Sequence, residues 1–273
     1  PAHPADWCVR AVAARKNWPG LPLLKAVIEC PVLRPDGTIL QEPGYDQSTG
    51  LLYLPTLEFQ SIPDFPSSSD VTQALAELLD LVCDYPFQGD EHKAAWVANV
   101  LTPLARHAFE GPVPMFLVDG NVRGVGKTLL CQVVSIIATG RDANVSTQLL
   151  DEAEERKRLT GLARAGEAFY LIDNISRPFG NGVLDAALTL TVLKERLLQE
   201  NNVPAYPWLT IIMGTGNNVQ IRAHADTWRR ILPIRLESSY QNPETRVDLK
   251  RPDLLGHVRM LRARYVRAAL TLL

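Results

Sequence analysis

Between two apolar runs, Val113-Pro-Met-Phe-Leu-Val118 and Leu129-Leu-Cys-Gln-Val-Val-Ser-Ile-Ile137, the chain reads Gly120-Asn-Val-Arg-Gly124-Val-Gly126-Lys127-Thr128. A short apolar stretch, a Gly-rich turn and a longer apolar stretch opening on Gly-Lys-Thr predict a strand, a loop and a helix. That is the context in which such a loop cradles phosphate. Glycines let successive backbone N–H groups converge on anionic oxygens, and the N-terminus of the following helix adds positive potential. In this reading Gly120, Asn121, Gly124, Val125, Gly126, Lys127, Thr128 and Leu129 surround a nucleotide. Lys127 reaches the β- and γ-phosphates, and the Thr128 hydroxyl ligates Mg²⁺. The strict pattern asks for glycine where Asn121 stands, with Gly120 one place early. Asparagine enters left-handed backbone more readily than most residues, so the turn tolerates it.

A chain of 273 residues can bury a large core, and 46% apolar with 21% charged residues is an ordinary globular composition. The net charge of −2 exerts no global pull toward nucleic acid or anionic membrane, so any DNA contact must come from a local patch or from assembly. Cys8, Cys30, Cys83 and Cys131 lie far apart with no Cys-x-x-Cys pair, which suits reduced thiols in a cytoplasmic protein and argues against structural zinc. The five histidines show no metal-ligand spacing, and no Gly-x-Ser-x-Gly elbow is present. No apolar run is long enough to span a bilayer. The chain starts at Pro1 without Met, and a piece of a longer protein is expected.

Four regions are predicted. Residues 1–66 are rich in Pro and Gly and read as a small β-meander, with turns at Arg34-Pro-Asp-Gly37 and Gln47-Ser-Thr-Gly50. Residues 67–110 hold a helical pair. Asp70 is the expected cap of the first helix, whose apolar face carries Val71, Ala74, Leu75, Leu78, Val82 and Tyr85. The second helix starts at Asp90 and is disturbed by Pro103. From 111 to 240 strands and helices alternate as a parallel sheet requires, giving an α/β core. Residues 241–273 end in one helix from Asp253 to Leu272, expected to cover part of the nucleotide site.

Three further constellations fall in the 111–240 region. The strand Ala168-Phe-Tyr-Leu-Ile172 ends in Asp173, an arrangement in which the carboxylate holds Mg²⁺ opposite the phosphate loop. An acid at a strand end can also cap the helix that follows. Asn174 occupies the place where many such ATPases carry a glutamate base. An amide can orient water but cannot take its proton, so slow hydrolysis or a base from elsewhere stays open. A later apolar strand ends in Thr215-Gly-Asn217-Asn218. If it lies between the strands of the phosphate loop and of Asp173, Asn217, ahead of Asn218, points at the γ-phosphate. An ordinary turn is the other reading. Finally, Arg229 and Arg230 precede the strand Ile231-Leu-Pro-Ile234. They read as an arginine finger acting on a neighbouring subunit, Arg230 the better candidate, or as an ion pair with Asp226.

In their order and spacing, Gly124-Val-Gly-Lys-Thr128, Asp173-Asn174, Thr215-Gly-Asn-Asn218 and Arg229-Arg230 resemble AAA+ ATPases. More narrowly they are similar to the superfamily 3 helicase-like domains of phage and plasmid primase-helicases. Leu33-Arg-Pro-Asp-Gly-Thr38 and Gly44-Tyr-Asp-Gln-Ser-Thr-Gly-Leu-Leu-Tyr53 also resemble the region before that domain in prophage replication proteins. The resemblance implies a homo-oligomeric ring, usually a hexamer, that hydrolyses ATP with Mg²⁺ and moves on DNA, single-stranded within the pore. It also implies a primase region upstream. Such helicases line the pore with a basic loop between the equivalents of Asp173 and Asn217, which implies DNA contacts for Lys194 and Arg196. The plain alternative for Lys194 is a surface charge beside Glu195. Two rival functions remain, a nucleotide-dependent switch with little hydrolysis and a protein-remodelling ATPase.

Overall fold

The computed structural model describes residues 3–15, 18–194, 205–222 and 226–273. Helix α1 (Asp6–Ala14) precedes five short strands, β1 (Ala26–Ile28), β2 (Val32–Leu33), β3 (Ile39–Leu40), β4 (Gly44–Asp46) and β5 (Leu51–Tyr53). Helices α2 (Ser68–Leu81) and α3 (Asp90–Ala105) follow. The chain then alternates through β6 (Met115–Gly120), α4 (Lys127–Thr139), β7 (Val145–Thr147), α5 (Glu152–Ala165), β8 (Phe169–Ile175) and α6 (Gly182–Ala187). Next come β9 (Val192–Lys194), β10 (Ala205–Pro207), β11 (Ile211–Asn217), β12 (Ile231–Leu236), α7 (Leu254–Met260) and α8 (Arg262–Leu272).

The central sheet has five parallel strands in the order β12-β6-β11-β8-β7. Strand β11, late in the chain, is inserted between β6 and β8. Both faces of the sheet are covered, so β6, β8 and β11 are apolar almost end to end rather than alternating. Successive residues of β6 serve opposite layers. Phe116 and Val118 pack with α3, α4 and α8 on one face, while Met115 and Leu117 pack with α5 and α6 on the other.

The N-terminal β region is two pieces. The run Val27–Leu33 is split near Pro31, which has no N–H for a ladder. Strand β1 pairs in parallel with β5, which pairs antiparallel with β4, while β2 and β3 form a separate hairpin. Gly37 closes that hairpin with φ +85° and donates its N–H to Arg34 O at 3.0 Å. The buried Cys30 thiol, pushed up to about 11 by burial, donates to Ala138 O at 3.0 Å and ties this region to the end of α4.

Ser67, not Asp70, is the N-cap of α2. Asp70 sits three places in, and the two form a capping box in which each side chain serves the other's backbone N–H. The buried face of the helix is Ala74, Leu78 and Leu81, leaving Val71 and Leu75 exposed. The expected C-terminal helix breaks at Leu261 (φ −107°) into α7 and α8. Arg262 donates to Ile137 O at 3.1 Å and Ala138 O at 3.2 Å, at the far end of α4 from the phosphate loop. With a rise of about 1.5 Å per residue, those carbonyls lie about 15 Å along the helix from Lys127.

Candidate nucleotide site

Strand β6 delivers the chain to Gly120, and the loop to Gly126 turns back into α4. Gly124 (φ +75°) and Gly126 (φ +87°) adopt left-handed backbone, which a Cβ would resist. Gly126 is the residue before the first turn of α4, so backbone N–H groups of the loop and helix start are gathered at one point. Asn121 is not among the residues with positive φ. Its side chain instead bonds the segment just after β12, with Nδ2 donating to Ser238 O and Ser238 N–H donating to Oδ1, both at 2.9 Å. Val125 is buried in the core, a Cβ at Gly120 would stand 3.3 Å from the Lys127 side chain, and Leu129 faces out.

The expected metal pair meets. Thr128 Oγ1 donates to Asp173 Oδ1 at 2.7 Å across 45 residues of sequence. Thr215 Oγ1 donates to the same oxygen at 2.6 Å and accepts the Asn174 N–H at 3.0 Å. Thr215, only 2% exposed, was legible as part of a motif but not as a site residue. Its place two residues before Asn217 on one strand face was the available signal. The ladder between β8 and β11 shifts here: Gly214 pairs Ile172 but Gly216 pairs Ile175, so Asp173 and Asn174 together oppose Thr215. Asn174 is exposed at this β-bulge with φ +54°, a conformation asparagine accepts and glutamate resists.

Because β11 lies between β6 and β8, Asn217 arrives beside Gly120 and its Oδ1 accepts from Lys127 Nζ at 2.8 Å. Lys127 Nζ also donates to Val122 O at 3.1 Å. Burial lowers the Lys127 pKa, opposed in part by the negative charges of Asp119 and Asp173. Asn218 faces another way, accepting from Arg235 Nη2 at 2.7 Å.

Two residues that motif reading missed lie against the loop. Tyr85, between α2 and α3, has its hydroxyl 3.3 Å from Gly126 O, and burial pushes its pKa up. The Glu244 carboxylate packs on Gly124, so a Cβ there would collide with it. Nothing in local sequence marks either one. They are brought in by the connections before α3 and after β12.

Arg229 and Arg230 end a 3₁₀ turn (Asp226–Arg230) at the start of β12. Ile231 pairs Met115 and Leu236 pairs Gly120, so the arginines sit at the opposite end of the sheet from the phosphate loop. At about 3.3 Å per residue the separation is roughly 17 Å, beyond reach of their own site. Arg230 (side chain 26% exposed) lies 3.6 Å from Asp226 and 3.8 Å from Asp185, while Arg229 (82% exposed) has only a 3.9 Å approach to Asp226. Lys194 is exposed at the end of β9, which forms an antiparallel ladder with β10 anchored by the buried Leu193. Arg196 lies outside the described residues.

Among the described residues no cluster of three or more His, Cys, Asp or Glu side chains could hold a metal, and no helix is long and apolar enough to cross a membrane. The five-stranded parallel sheet flanked by helices and the Gly-rich turn between β6 and α4 define an α/β P-loop NTPase fold. No protein-family model and no curated protein matches the chain. Solved structures similar to it include the apo A form of the NrS-1 C-terminal region, at 11% identity and TM-score 0.45 over 96% of this chain and 59% of that one. The SCCmec type IV Cch active helicase is similar at 11% identity and TM-score 0.35, over 97% of this chain and 46% of that one. The JCV helicase with a thiazolopyridine compound bound is similar at 17% identity and TM-score 0.31, over 75% of this chain and 60% of that one. The chain thus spans about half to three-fifths of the structures it resembles.

Proposed function

We propose that this chain is the ATP-binding and ATP-hydrolysing motor part of a DNA helicase that replicates a mobile element. It would act as a homo-oligomeric ring, usually hexameric, around single-stranded DNA, with a primase region upstream in the full-length protein. The observation that carries the nucleotide reading is the Thr128–Asp173 hydrogen bond at 2.7 Å, set one residue from the Lys127–Asn217 bond at 2.8 Å. A hydroxyl and a carboxylate in contact, beside glycines in left-handed backbone, fit Mg²⁺. That ion takes one or two protein oxygens and completes its shell with phosphate and water. When bound, Mg²⁺ would neutralise charge on the β- and γ-phosphates. Thr128 and Asp173 would hold it. Thr215 fixes the Asp173 carboxylate, and the loop N–H groups and Lys127 bind and orient the triphosphate. Asn217 holds the Lys127 ammonium and would exchange that bond for one to the γ-phosphate.

Arg229 and Arg230 support the ring reading by their distance from their own phosphate loop, which leaves them free to meet a neighbour's nucleotide. The exposed Lys194 on the β9–β10 ladder supports the DNA reading, since one cation per subunit repeated around a ring binds phosphates in a salt-dependent way. One observation favours a second reading. Asn174 stands at the bulge where a basic carboxylate would activate water, which suits a nucleotide-dependent switch with little turnover.

Calorimetry with ATP and Mg²⁺ tests the site. Phosphate release at rising protein concentration, with and without single-stranded DNA, separates the two readings. A motor gives concentration-dependent release stimulated by DNA, whereas a switch gives tight binding with little release. No affinity for any nucleoside triphosphate at any oligomeric state would remove both.

A further inference from the structure

The turn that follows Asn217 is tied to the end of β6 by bonds that use none of the groups assigned above to phosphate or metal. Asn218 holds left-handed backbone (φ +50°) and donates its N–H to Gly120 O at 3.1 Å. Val219 N–H donates to Asp119 Oδ1 at 3.2 Å. Strands β12 and β11 flank β6 on opposite sides, and Arg235 of β12 reaches across the end of β6 between them. Its Nη1 donates to Asp119 Oδ2 at 2.5 Å and its Nη2 to Asn218 Oδ1 at 2.7 Å. The ion pair is partly buried, with side chains 23% and 16% exposed, so water screens it little.

We infer that Arg235 is a positioning residue for the nucleotide site, clamping the 217–219 turn through Asn218 and Asp119 so that Asn217 is aimed at Lys127 and the γ-phosphate. This rests on the nucleotide reading above. The rigid guanidinium fork meets a carboxylate on β6 and an amide on the β11 turn together, with one donor for each. An ammonium can satisfy the charge of Asp119 but lacks that fixed two-direction geometry. Asn217 sits one residue from the clamped Asn218, and a rotation of that turn would carry its amide off Lys127.

The clamp is tested by how well the protein tells a triphosphate from a diphosphate, which does not require hydrolysis. Affinities for a non-hydrolysable ATP analogue and for ADP, each with Mg²⁺, are measured by calorimetry for the unsubstituted chain, Arg235→Ala, Arg235→Lys, Asn218→Ala, Asn217→Ala and the Arg235→Ala/Asn217→Ala double variant. Arg235→Ala should cut the preference for the analogue by about three- to tenfold with ADP affinity unchanged within about twofold, and Arg235→Lys should fall between. Asn218→Ala leaves the ion pair in place and should reproduce the loss, which keeps the test available if Arg235→Ala folds poorly. In the Asn217→Ala background Arg235→Ala should cause no further loss, because it acts through that residue. An equal loss for both nucleotides, or a loss that adds to that of Asn217→Ala, would overturn the clamp while leaving the site standing. No binding by the unsubstituted chain would overturn the nucleotide site and the clamp together.

Discussion

Asn121 and Ser238 exchange two hydrogen bonds of 2.9 Å, which pin the start of the phosphate loop to the segment just after β12. The residue that departs from the strict glycine pattern is therefore part of the loop's anchoring. Asn121→Gly, although it restores the pattern, should destabilise the protein by about 1–3 kcal/mol, since each buried bond is worth about 0.5–1.5 kcal/mol. Thermal unfolding checks this. A Tm equal to that of the parent would mean the pair contributes nothing.

Thr215 joins the Thr128–Asp173 pair to the bulge. Thr215→Val keeps the shape but leaves the Asn174 N–H without its partner and frees Asp173 to rotate. Stability should fall by about 1–3 kcal/mol, and the Mg²⁺ dependence of nucleotide binding should shift to higher concentration. Calorimetry across a magnesium series measures both affinities.

Asn174 answers to backbone geometry as well as chemistry. Asn174→Gly accommodates φ +54° and should leave stability within about 1 kcal/mol of the parent, whereas Asn174→Glu should cost roughly 1–2 kcal/mol. Denaturant midpoints compare the two. If Asn174→Glu also raises phosphate release, the missing base limits hydrolysis. If release is unchanged, the bulge does not aim a carboxylate at the attacking water.

A finger acting in trans makes a prediction about mixtures. Subunits carrying Lys127→Ala and subunits carrying Arg230→Ala are each expected to be inactive alone. Mixed, they should regain part of the activity, because one kind of interface joins an intact loop to an intact arginine. The same mixture with Arg229→Ala decides between the two arginines, since Arg229 is the freer side chain and Arg230 is held near Asp185 and Asp226. No recovery from mixed rings that still assemble would remove the trans assignment for the arginine tested.

His107 sets a pH dependence of stability. Burial, with the charges of Arg106 and Lys25, lowers its pKa from 6.5 to about 4. The fold therefore holds it neutral. Its contribution is fully present above pH 6.5 and declines as pH falls toward 4, because the unfolded chain takes up the proton first. Unfolding free energy should drop over that window, and His107→Gln should flatten the curve there. A profile unchanged by the substitution would show that other groups govern it.

Much of this site could be read from residues alone, because its parts are local. A continuous apolar run bounded by Gly-Lys-Thr predicts a strand, a loop and a helix, and the structure has β6, the loop and α4 there. The apolar strands before Asp173 and Asn217 were legible for the same reason. Each is buried on both faces and tolerates almost no polar residue until it reaches the sheet edge. What sequence left open was which strand ends become neighbours. Whether Asn217 meets Lys127 or marks an ordinary turn depends on β11 lying between β6 and β8. That order follows from packing two helical layers on one sheet, not from any residue near position 217. The same limit hid Thr215 under Asp173, Ser238 beside Asn121, Arg235 across Asp119 and Asn218, and Tyr85 and Glu244 on the loop glycines. Local periodicity determines what each segment becomes. Partnerships across 17 to 120 residues, by contrast, are set by register and layer packing, and so belong to the tertiary structure alone.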